Sequence, residues 1–132
     1  MRSFLRARWK AISIAGACAL LALYVGTALL IGHQVNEVVD TAQARSPGEP
    51  VAALLAMASS PSQGLAERNR AVWALGQLGD SMALETLESL YSGQGCDHSV
   101  RLCQRELRKA IRACEGGFNV GALVWRHGRL DS

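Results

Sequence analysis

The stretch from 65 to 92 reads LAERNRAVWALGQLGDSMALETLESLYS, and its reading decides the architecture. Leu65, Arg68, Ala71, Val72, Leu75 and Leu78 include apolar residues at steps of three and four, which predicts an amphipathic helix. Gly79 suits a left-handed cap, and Asp80 or Ser81 suits the start of the next helix. That second helix covers 82–91, with Leu84, Leu87, Leu90 and Tyr91 on one face and Glu85 and Glu88 on another. Two short helices joined by a tight turn predict an antiparallel hairpin whose apolar faces meet.

Within this stretch Arg68-x-x-Ala71-x-x-Ala74-Leu75-Gly76-x-Leu78-Gly79-Asp80-x-x-Ala83-x-x-x-Leu87 resembles a HEAT repeat, in the form called the phycobilisome-lyase HEAT-like repeat. The resemblance implies an α-solenoid unit, and that family supplies protein-binding scaffolds more often than active sites. A second, degenerate unit follows over 99–127. Aligning 109–114 with 70–75 puts alanines on alanines and makes Leu102, Cys103, Leu107, Ala110, Ile111 and Cys114 the buried face, with a last short helix over 120–127. The turn departs from the pattern, since Glu115-Gly116-Gly117 stands where Leu-Gly-Asp is expected. The expected fold is therefore all-α: one N-terminal transmembrane helix and a short α-solenoid of HEAT-like hairpins, 51–132.

Upstream, 51–58 (VAALLAMA) predicts a first helix of about two turns, which needs a neighbour to be stable. Two prolines around a glycine in 45–50 break whatever precedes them. Val35, Val38, Val39 and Ala42 lie at helical steps within 33–44, so this segment prolongs the helix before it, and 33–50 as a whole reads as a juxtamembrane stalk and linker. Residues 11–32 form a 22-residue run without a formal charge, spanning about 30 Å as a helix, the thickness of a hydrocarbon core. Arg2, Arg6, Arg8 and Lys10 make 1–10 a basic tail, whereas Glu37, Asp40, Arg45 and Glu49 follow the run. The positive-inside bias keeps such an N-terminus cytoplasmic and exports the remainder, so the expected location is a bacterial inner membrane, single-pass, with a periplasmic or other extracytoplasmic domain.

A cleaved signal peptide competes with this anchor, because Ala42-Gln43-Ala44 has a small-x-small form, though the apolar run exceeds a usual h-region and acids precede the site. A lipid-modified Cys18 is a third reading. Along the span Ala11, Ala15, Ala19, Ala22 and Gly26 make a seam of small residues on one side, of the kind that lets a second helix or a second copy approach.

At 132 residues and 14.1 kDa, with 5 % aromatics, no Gly-rich phosphate loop and no metal-ligand cluster of recognised spacing, the chain is short for a large catalytic fold, and neither a catalytic residue nor a cofactor is expected. Four of the 14 basic residues lie in the tail, leaving ten against 11 acids outside. The pI near 8.9 thus reports topology, and no nucleic-acid partner is expected.

Oxidation is allowed on the exported side, where Cys96, Cys103 and Cys114 lie. On one continuous helix from Ser99, Cys103 and Cys114 would stand about 16 Å apart, beyond disulfide reach. The expected bridge is Cys96 to Cys103, with Cys114 a buried thiol, whereas a Cys96 to Cys114 link requires the helix to start late or bend; a partial zinc site at Cys96, His98 and Cys103 is the weaker alternative. Arg101, Arg105, Arg108 and Arg112 step by four, three and four, nearly opposite the apolar stripe, as a basic ridge. That ridge is either a solvated face or, with Trp125 and Arg126, a contact for an acidic partner or anionic lipid. The expected function is a non-catalytic adaptor or accessory subunit holding another envelope protein. The alternatives are a lyase-like or thiol-redox enzyme using the exported cysteines, and an anionic-lipid-binding element.

Overall fold

Nothing between Arg2 and Arg45 interrupts a helix, and in the computed structural model these 44 residues form one, α1, about 66 Å long at the usual rise. The structure describes residues 2–95, 97, 99–117 and 119. Beyond α1 come α2 (Pro50–Ser59), α3 (Leu65–Leu78), a 3-10 turn (Ser81–Ala83), α4 (Leu84–Leu90) and α5 (Gln104–Cys114), so the described residues are all-α, with five helices.

The breaks fall where the backbone chemistry demands them. Ser46-Pro47-Gly48 ends α1, Gly48 adopting a positive φ of 149°, and Pro50 opens α2 in its first turn, where its missing N–H costs no hydrogen bond. Gly79 closes α3 in the left-handed conformation (φ 59°, ψ 36°), its N–H donating to the Leu75 carbonyl at 2.8 Å. The Asp80 carboxylate then accepts from the Met82 N–H at 2.9 Å and starts the next turn.

α3 is the centre of the packing, flanked by α2 on one side and α5 on the other. Its Ala71, Val72, Ala74 and Leu75 are buried among Leu54 and Met57 of α2, Ala83 and Leu87 after the turn, and Leu107, Ala110 and Cys114 of α5. Gly76 permits the closest approach: a Cβ there would stand 3.0 Å from Ala110 Cα and 3.1 Å from its Cβ. α4 packs chiefly on α5, with lesser contact to α2, so its apolar face meets α5 more than its own hairpin partner α3.

Two further differences from the sequence reading concern the flanks. The segment read as a stalk is part of the core, with Val35, Val39 and Ala42 of α1 buried in the same cluster and Ile31 and Val38 packed against it. α5 begins at Gln104, five residues after Ser99. The Asn69 side chain accepts from the Cys103 N–H at 2.8 Å, and the buried Gln104 side chain accepts from the Ser92 N–H at 2.7 Å. These side-chain bonds hold an extended entry to the helix, which periodicity does not register.

Candidate functional site

The first half of α1 is exposed and apolar. Trp9, Ile12, Ile14, Leu20, Leu21, Leu23, Leu29 and Leu30 all stand largely free of the rest of the chain. The hydroxyls of Ser13 and Thr27 donate to the carbonyls of Trp9 (3.0 Å) and Leu23 (2.8 Å), satisfying themselves within the helix as a segment in hydrocarbon requires. This is one long apolar N-terminal helix that could be a membrane anchor or a signal sequence. The small-residue seam Ala11, Ala15, Ala19, Ala22 and Gly26 lies wholly on its exposed part; the small residues of α1 that are buried are Ala28, Gly32 and Ala42.

Where α1 enters the domain, it lines a cleft of about 410 Å³ with α2 and α3. Gln34, Glu37 and Thr41 form one wall, Glu67, Arg70 and Trp73 the other, and Val38 and Met57 the apolar floor. Arg45 ties the far end shut. Its guanidinium donates to both Glu67 carboxylate oxygens at 2.9 Å and also to Gln63. That bidentate bond is the main cause that holds the Glu67 carboxyl below its ordinary range, with the Arg70 charge adding to it at a distance, and it raises the Arg45 guanidinium. At the end of α2 the Arg68 Nε–H donates to the Ala58 carbonyl at 2.8 Å.

A second cleft, of about 390 Å³, runs between α3 and α5 past Trp73, Gly76, Gln77, Lys109, Ala113 and Asn119. Trp73 is half-buried and borders both clefts, so it serves the core and offers a flat aromatic edge at once. The outer face of α5 presents Arg105, Arg108 and Arg112, all exposed, while Lys109 pairs with Glu106 at 2.9 Å. Arg101 does not continue this ridge along the helix. It lies in the loop before α5, half-buried, its guanidinium donating to Gln94. Trp125, Arg126 and the helix expected over 120–127 lie outside the described residues.

The expected Cys96–Cys103 disulfide is corrected: the structure contains no disulfide among its described residues, and Cys96 lies outside them. Cys103 caps α5 with its side chain turned into the core, 5 % exposed, because Asn69 holds its backbone N–H. Cys114 is buried at 3 %, its Sγ–H directed to the Leu75 carbonyl at 3.7 Å. A thiol that attacks a substrate has to be reachable, and neither of these is. Among the described residues no group of three or more His, Cys, Asp and Glu side chains gathers as a metal site.

Sequence reasoning passed over the first cleft. Its signal lay in the stripe Gln34, Glu37, Thr41, at steps of three and four beside the buried Val35, Val38, Val39 and Ala42. Neither the curated proteins nor the solved structures contain a match to this chain. Residues 67–93, from the first turn of α3 through α4, match the family model of the PBS lyase HEAT-like repeat, and the chain carries one such repeat there.

Proposed function

We propose that the protein is a single-pass bacterial inner-membrane protein, N-terminus cytoplasmic, whose extracytoplasmic HEAT-like helices hold another envelope protein as a non-catalytic adaptor. One observation carries the reading: the helix with the exposed apolar surface from Trp9 to Leu30 continues without a break into the core residues Val35, Val39 and Ala42. Cleavage after Ala44 would strip those three side chains from the core, at about 1.5–3 kcal/mol for each valine, from a domain too small to lose them lightly. Retention of the helix is therefore supported over removal as a signal. The basic tail before the span and the acids after it support the orientation.

The adaptor role draws support from what the domain offers: a HEAT-like repeat, two shallow clefts meeting at Trp73 and the exposed cationic face of Arg105, Arg108 and Arg112. The test is gentle crosslinking of the C-terminally tagged chain in intact cells, followed by purification from detergent-solubilised membranes. A stoichiometric envelope protein, lost when Arg105, Arg108 and Arg112 are changed to Glu, is the expected result. Recovery of the chain alone, beside efficient crosslinking of a known complex, would reject the adaptor. Recovery from the soluble fraction with a new N-terminus at Arg45 would reject the anchor.

A further inference from the structure

The cleft between α1 and α3 stands at a definite height along the membrane helix. Counting about 20 residues for a 30 Å hydrocarbon core from the Lys10 boundary reaches Leu29 and Leu30, the last large apolar residues exposed on α1. Gln34 and Glu37 follow four and seven residues later, roughly 6–10 Å farther, and side chains on a helix tilt toward its N-terminus, here back toward the bilayer. The headgroup layer adds about 5–8 Å to each side of the hydrocarbon, so the polar ends of these two side chains lie at headgroup level.

Across the cleft, whose Gln34–Glu37 end lies at that level, the charges are separated. Glu67 is taken up by Arg45. Glu37 on one wall and Arg70 on the other are both exposed; neither side chain makes a hydrogen bond or ion pair among the described residues, nor do they pair across the cleft, and Arg70 acts on Glu67 only through space. Once the Arg45–Glu67 pair is set aside, the two balance to zero while standing apart, which is the charge pattern of a zwitterion. The acceptor oxygens of Gln34 and Thr41 lie on the Glu37 side, and Trp73, a residue type suited to the membrane–water boundary, closes the other.

We propose that this cleft binds the headgroup of a zwitterionic phospholipid of the extracytoplasmic leaflet, its phosphate on Arg70 and its primary ammonium on Glu37, Gln34 and Thr41. The proposal rests on the membrane-anchor reading above. A guanidinium suits a phosphate diester through paired N–H donors. A primary ammonium carries three N–H donors for the carboxylate, amide and hydroxyl oxygens, whereas a quaternary ammonium carries none and an anionic headgroup would face Glu37 with like charge.

The experiment uses the full chain purified from membranes in mild detergent, offered equal amounts of phosphatidylethanolamine, phosphatidylcholine and phosphatidylglycerol, with retained lipid read by native mass spectrometry. Phosphatidylethanolamine should be retained at least fivefold over the other two. Arg70→Gln should lower that retention about tenfold and Arg70→Lys should restore most of it. Glu37→Gln should erase the preference over phosphatidylcholine while leaving lipid bound. All three variants should keep the wild-type melting temperature, since both positions are exposed. Equal retention of the three lipids by a membrane-integrated wild-type chain, or unchanged retention by a folded Arg70→Gln variant, overturns the headgroup site and leaves the anchor standing. A wild-type chain that does not partition with membranes overturns both.

Discussion

The two halves of α1 share one backbone and have opposite environments. From Ala11 to Tyr24 the helix is exposed all round and carries no charge; from Val35 to Ala42 it has one buried stripe, and its other faces are polar. The first half has no apolar partner among the described residues, which suits a medium where lipid supplies it. The second half has its partners in α2 and α3. A helix boundary therefore does not mark the domain boundary here. The change from an exposed apolar surface to a buried stripe does.

Substitutions matched across the two halves, or between α1 and the rest of the domain, put this contrast at risk. The largest effect is expected at Val39, where Asp would bury an unpaired carboxylate and destabilise the domain by about 3 kcal/mol or more. Leu21→Ala should leave domain unfolding within about 0.5 kcal/mol. Hydrogen exchange at the α3 amides in detergent reads both, and equal protection loss would mean that the halves are not distinct. Glycines give the next pair. Gly76→Ala should cost about 1–3 kcal/mol by pushing α3 from α5, while Gly26→Ala, with nothing within 4 Å, should cost nothing in urea unfolding. Removing the Asp80 carboxylate by Ala should cost about 1 kcal/mol through the lost cap, a change that Ser13→Ala, whose hydroxyl bonds only to its own helix, should not produce in the same melt.

The smallest effect is electrostatic. Glu67 has a folded pKa below its ordinary value, so its bond to Arg45 contributes fully above about pH 4.3 and is lost as pH falls through the lowered value. Acid titration should loosen the end of α1 from α3 over that range, read as faster exchange near Arg45. Glu67→Gln should remove the pH dependence, and a transition unchanged in that variant would assign it elsewhere.

The repeat was legible in the sequence because its signals are local: a period of three and four, a glycine at the one position with φ 59°, and an aspartate beside it that caps. The end of α1 was legible for the same reason, at Ser46-Pro47-Gly48. What escaped depends on residues distant along the chain. Val35, Val38, Val39 and Ala42 read as a helical stripe, but their partners Leu54 and Met57 lie past a proline-containing break, and no spacing rule joins them. Asn69 fixes the start of α5 from 34 residues away, and this is what sets Cys103 in the core instead of in a disulfide. The Glu37 and Arg70 walls of the first cleft belong to different helices, so each alone is an ordinary surface charge.

The unbroken course of α1 also makes it a lever. Arg45 stands 15 residues beyond Leu30, about 22 Å along the axis, with no hinge between them. A span tilted by about 20°, the average for membrane helices, would carry that end of the domain about 8 Å sideways. With α1 as the proposed anchor, bilayer thickness, by setting the tilt, would set where the HEAT-like surface is held relative to a neighbour in the same membrane.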